Sequence, residues 1–143
     1  MTEVPREVGE TLGAGFEIGV RRSVTASVDE VWEAIAGRPA LWLGADAEVD
    51  LVKGASYAVP GGDGFPPARG EVRSVHPGDR IRLTWWPEGW EAPAVLQFAL
   101  RETPSGKTAI TGHMEKLRDG VVREEMRAHL RVVLGRLAEA VEG

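Results

Sequence analysis

The chain has no cysteine among its 143 residues. Disulfides, thiolate chemistry and cysteine-ligated zinc are therefore excluded, and the absence suits a reducing cytoplasm, which is the expected location. Long apolar runs are missing too; nothing approaches the roughly 18 residues of a membrane span. Met1 to Gly15 mixes charge with glycine and has no apolar stretch of the kind a secretion signal carries, so it is not expected to be one. Positive charge is scarce: 17 Lys and Arg against 22 Asp and Glu leave a net charge of −5. The nearest thing to a basic patch is the pair Arg21-Arg22. A nucleic-acid partner is not expected, because it requires a face that neutralises many phosphates. No two of the histidines His76, His113 and His129 have metal-ligand spacing with a carboxylate, so neither a metal nor a cofactor is expected. A Ser/His/Asp set and a nucleophile elbow are also missing.

What is present has the length of one domain. Met1 to Gly15 reads as a mobile arm, and residues 16–143 as a single domain. Phe16, Ile18, Val20 and Val24 mark a first strand. Ser27-Val28-Asp29-Glu30 matches a capping box: the Ser27 hydroxyl accepts from the Glu30 amide, and the Glu30 carboxylate reaches back to the Ser27 amide. Val31, Trp32 and Ile35 follow at helical spacing, Gly37 and Pro39 stop the helix, and Ala40 to Gly44 forms a second short turn that presents Trp42 inward.

Ala47 to Glu115 reads as a meander of strands. Val49, Leu51, Tyr57 and Val59 alternate around Gly54. The run from Pro60 to Pro67 lacks the Gly-Lys-[Ser/Thr] of a phosphate loop and reads as a hairpin connection. Ile81, Leu83 and Trp85 alternate with Arg80, Arg82 and Thr84, as in a half-buried antiparallel strand. Trp86 to Pro93 reads as a loop, Leu96, Phe98 and Leu100 as one strand face, and Ile110, Gly112 and Met114 as another, which turns His113 outward. Val122, Met126, Leu130, Val133, Leu134, Leu137 and Val141 form the apolar stripe of a long last helix. Strands grouped together with helices at two places argue for an α+β fold, in which a curved antiparallel sheet of about six or seven strands wraps the long C-terminal helix.

Four segments resemble the activator of Hsp90 ATPase branch of the START-like (SRPBCC) superfamily. They are Ala26 to Ile35, with Val31-Trp32; Leu41-Trp42-Leu43; the hairpin Gly70-Glu71-Val72, His76-Pro77, Arg80-Ile81 and Trp85; and Gly106 to Thr111. The resemblance covers roughly Phe16 to Glu142. It implies a helix-grip (START/Bet v 1-like) fold with a cavity between sheet and long helix, usually for apolar small molecules. Members of the superfamily include lipid carriers, hormone receptors, polyketide cyclases and co-chaperones. The chain departs from the pattern at two places: His129-Leu130 stands where the last helix often has Gly-Trp, and Met114 where the preceding strand often has His.

The leading expectation is therefore a binding module for a small hydrophobic or amphipathic ligand, with Trp42, Tyr57, Trp85, Phe98, Gly112, Met114, Met126 and His129 around the cavity. Aromatic residues and adaptable methionines suit such a pocket. Gly112 interrupts an inward row and suggests space above it. A cyclase- or dehydratase-type enzyme is the first alternative, with His129 or a buried carboxylate as acid/base. A co-chaperone-like partner of Hsp90 is the second. Trp86 and Trp90, in or beside a loop, suit a pocket rim or a homodimer contact.

Overall fold

The computed structural model describes residues 10–11 and 15–142. The arm expected over Met1 to Gly15 lies mostly outside the described residues; within it, β1 (Glu10–Thr11) pairs with the start of β2 (Gly15–Val24). The remaining elements are α1 (Val28–Gly37), α2 (Ala40–Leu43), β3 (Ser56–Val59), β4 (Ala68–His76), β5 (Arg80–Pro87), β6 (Ala94–Glu102), β7 (Thr108–Leu117) and α3 (Gly120–Glu142). The strands form one antiparallel sheet in the order β1-β2-β7-β6-β5-β4-β3. The chain is thus α+β, with the helix-grip arrangement that the sequence suggests.

Local chemistry sets the helix ends. Ser27 caps α1 in both directions: its hydroxyl accepts from the Glu30 amide at 3.1 Å, and the Glu30 carboxylate accepts from the Ser27 amide at 3.4 Å. Asp119 starts α3, accepting from the Val122 amide at 2.9 Å, and this bond holds its carboxyl below the usual range. The far end of α3 is tied to the strand end at Val24, because Glu142 accepts from both the amide and the hydroxyl of Thr25.

Packing then locks α3 onto the sheet. Leu130, Val133, Leu134 and Leu137 are buried on its inner stripe, with Met126 and Val141 half-buried at either end. Facing them stand Ile18 of β2, Leu96 and Phe98 of β6, and Ile110 and Met114 of β7, all buried. Each large side chain removed from water in this way contributes about 1.5–3 kcal/mol.

The strand reading needs two corrections. Val49 and Leu51 belong to no strand; the segment before β3 is irregular, and only Gly54 and Ala55 reach β4, exchanging hydrogen bonds with Val72. Alternation over so few residues does not by itself secure a ladder. Trp86 belongs to β5 rather than to the following loop, because the pairing Arg69↔Trp86 and Ala68↔Pro87 extends that strand.

The capping box makes a direct prediction. Ser27→Ala removes the cap and is expected to lower stability by about 1 kcal/mol, read as a lower urea midpoint at unchanged m-value.

Candidate functional site

One end of the grip, where the first half of α3 meets β5 and two loops, collects a ladder of rings. Phe65 meets His129 edge-on at 5.2 Å; His129 stacks on Trp85 at 5.3 Å with 19° between planes; Trp85 meets Trp90 edge-on at 5.5 Å. These spacings suit offset or edge-to-face ring pairs. A deeper layer pairs Trp42 with Phe98 at 5.4 Å, and the Trp42 indole N–H donates to the Ile35 carbonyl at 3.0 Å.

Each ring is positioned by its local chain. Phe65 sits in the turn between β3 and β4, which closes on itself through paired hydrogen bonds between Gly62 and Phe65. It approaches Gly44 so closely that a Cβ there would lie 2.8 Å from its own Cβ, and Gly44 also has φ 109°, so glycine is required twice over. Trp90 is held by its carbonyl, which accepts the Trp86 indole N–H at 2.7 Å, while the Arg69 guanidinium covers the Trp86 ring at 4.2 Å. Arg136, seven residues beyond His129 on α3, donates to the Leu41 carbonyl at 3.1 Å and lies 5.3 Å from the Phe65 ring. It fastens α2 and the Phe65 turn to the long helix.

Two clefts meet at Trp90. One, of about 420 Å³, is lined by Val59, Pro67, Ala68, Arg69, Trp86 and Trp90. The other, of about 250 Å³, runs from Trp90 to Val122 and carries Glu91, Lys116, Arg118 and Glu125. The first is mostly apolar, with Arg69 and Glu88 as its charged groups; the second is richer in charge, with both signs on its lining.

Of the residues singled out in the sequence, Trp85 and His129 lie within the ladder, and Met126 is half-buried against the same core. Trp42, Phe98, Gly112 and Met114 are buried deeper and adjoin one another: Phe98 pairs with Gly112 across β6 and β7, and Leu96 with Met114. The position a Cβ of Gly112 would take lies 3.5 Å from Leu130 and 3.6 Å from Phe98, so side chains border the space above that glycine. Tyr57 stands apart from the ladder. Its hydroxyl donates to the Thr84 carbonyl at 2.6 Å, its ring crosses Gly70, and burial pushes its pKa well above the usual phenol range. His76 is exposed in its turn, and His113 faces outward. Phe65 and Arg136 were not singled out. Their signals are an aromatic residue inside a glycine- and proline-rich turn, and a cation next to the apolar face of a helix.

Burial among rings dominates the chemistry of His129, lowering its pKa to about 4. The imidazole is therefore neutral at pH 7. No carboxylate pairs with it among the described residues.

A curved antiparallel sheet gripping one long C-terminal helix is the helix-grip arrangement of SRPBCC domains. The chain matches the family "Activator of Hsp90 ATPase homolog 1-like protein" over residues 25–142, and it belongs to that family. No curated protein sequence matches it. Among solved structures it is similar to DynU16, a protein of the dynemicin biosynthetic locus, at 30% identity and a TM-score of 0.74, covering 88% of this chain and 47% of that one. It is also similar to MLL2253 from Mesorhizobium loti, with 17% identity, TM-score 0.75, and coverage of 87% and 95%. A third is the Aha1 dimer from Colwellia psychrerythraea, with 17% identity, TM-score 0.74, and coverage of 88% and 96%. No helix among the described residues is long and apolar enough to cross a membrane.

Two predictions follow from this geometry. Between about pH 4 and 6.5 the unfolded chain binds more protons at His129 than the folded chain does. Stability is therefore full above pH 6.5 and falls as pH drops through that window, by up to about 3 kcal/mol. Urea unfolding is expected to show this slope in the parent and a flatter one in His129→Gln. The two glycines separate equally sharply. A Cβ at Gly70 would lie 2.0 Å from the Thr84 carbonyl oxygen, so Gly70→Ala is expected to lose at least about 2 kcal/mol. At Gly112 the same change meets ordinary contact distances and should stay within about 1 kcal/mol of the parent.

Proposed function

We propose that this chain binds a small apolar or amphipathic molecule at the ring ladder, with the apolar part of the ligand along Trp85, Trp90 and His129. The observation that carries the reading is the junction at Trp90, where a cleft of about 420 Å³ with an apolar wall and a cleft of about 250 Å³ with a charged rim adjoin a stack of rings. Ligand sites of this size use apolar walls with a few polar groups. His129 lines neither cleft; it stacks on Trp85 within the ladder and, being neutral, places no full charge there. The deeper residues Trp42, Phe98, Gly112 and Met114, with the half-buried Met126, then serve as the floor, and Tyr57 braces the sheet beside it.

The enzyme reading, with His129 as acid/base, has less support. A general base operates best with a pKa near the working pH, whereas burial holds His129 near 4 and its ring neighbours are Phe65 and Trp85. A homodimer contact through the half-buried Trp86 and Trp90 is the second reading; the similar Aha1 from Colwellia psychrerythraea is a dimer. The Hsp90-partner reading rests on the family's name.

Native mass spectrometry of freshly purified protein, compared with its denatured mass, tests the proposal. A reproducible added mass, lost or weakened about ten-fold in Trp90→Ala, is expected. A clean mass, together with unchanged tryptophan fluorescence across a panel of apolar dyes and fatty acids, sinks it.

A further inference from the structure

The outer face of the sheet, on the side away from α3, carries a second constellation. Between Phe16↔Leu117 and Ile18↔Met114 the β2–β7 register shifts, with one more residue on β7 than on β2, and Lys116 takes φ 65°. This is a β-bulge, which re-aims side chains. Glu17 of β2 is thereby set against His113 and Glu115 of β7, and one donor atom from each of the three lies within 4.8 Å of the others. The Glu17 carboxylate is 3.8 Å from His113 Nε2. All three side chains are half-buried on central strands rather than on a loop. Gly19, directly across from His113, has no side chain, which leaves the imidazole room to turn. The facing charge is Arg82 of β5, which pairs with Glu115.

We propose that Glu17, His113 and Glu115 form a divalent-cation site of the zinc class. Ligands about 2.0–2.2 Å from a zinc ion sit roughly 3.4 Å apart in a tetrahedron, so modest side-chain rotations close the triad. Two carboxylates balance the charge of a divalent ion, and the imidazole favours zinc, cobalt or nickel over magnesium or calcium. Three protein ligands leave a fourth position for water. Arg82 competes for Glu115 and sets the affinity: when the metal binds, the guanidinium gives up that carboxylate. The site would clamp β2 to β7 across the bulge, where the regular ladder is interrupted.

The test is calorimetric titration of the tag-free chain with zinc chloride, with magnesium chloride as the comparison, alongside the visible spectrum of added cobalt(II). Saturable one-to-one zinc binding is expected, with none for magnesium. His113→Ala and Glu17→Gln should each weaken it at least about ten-fold. Arg82→Gln should strengthen it by freeing Glu115. Absence of saturable zinc binding overturns the proposal, and so does binding unchanged in both His113→Ala and Glu17→Gln. Weaker or equal binding in Arg82→Gln removes Glu115 from the ligand set and with it the proposed site. Near-UV circular dichroism checks that each variant folds; should His113→Ala fail to fold, the shape-conserving Glu17→Gln decides.

Discussion

The stripe along α3 is too apolar to face water and too long for any short element to cover, so the sheet must meet it over the whole of its length. Leu130, Val133, Leu134 and Leu137 are buried on one side of that helix, and the covering surface comes from β2, β6 and β7 in the middle of the sheet. A sheet twists with a fixed hand, so a surface of this extent curves around the helix. The other features inherit their positions from that contact. α1 and α2 close the flank; Arg136 fastens α2 and the Phe65 turn to α3; His129 is carried to the end where Trp85 of β5 and the Phe65 turn provide its ring neighbours.

The two faces of the sheet consequently divide the chemistry. The inner face is nearly all apolar, and three of the polar groups at the core are paired: the Trp42 indole with Ile35, the Tyr57 hydroxyl with Thr84, and the buried Thr108 hydroxyl with the Ala26 carbonyl at 2.7 Å. His129 is a titratable group packed between rings and held neutral by desolvation. The outer face holds the ionic groups, with Arg82 on Glu115 and Glu17 beside His113. A chain with a net negative charge has few cations to spare, and on this face Arg82 reaches over β6 to supply one.

Much of the fold was legible because periodicity and caps are local. The capping box at Ser27, the alternation through Ile81, Leu83 and Trp85, and the stripe of α3 each express a repeat set by backbone geometry. Reading failed where pairing with a distant strand decided the outcome. Val49 and Leu51 alternate yet find no partner strand, and Trp86 sits in loop-like sequence yet is drawn into β5 by Arg69 of β4. The site was half legible. Trp85 and His129 announced themselves as an inward aromatic residue and a histidine at the edge of an apolar stripe; Phe65 and Arg136 did not, because their importance comes from partners far away in sequence.

By itself, then, the sequence determined most of the element types, the class of fold, the inward side of strands such as β5 and β7, and the exclusion of thiol chemistry, since all of these follow from residue type and short-range spacing. Only the tertiary structure decided which rings stack, that His129 is desolvated enough to stay neutral, and that Glu17 meets His113 and Glu115. Glu17 lies on β2 and the other two candidates on β7, far apart in sequence, and it is the bulge opposite Glu17, a shift in register between β2 and β7, that turns them toward one another.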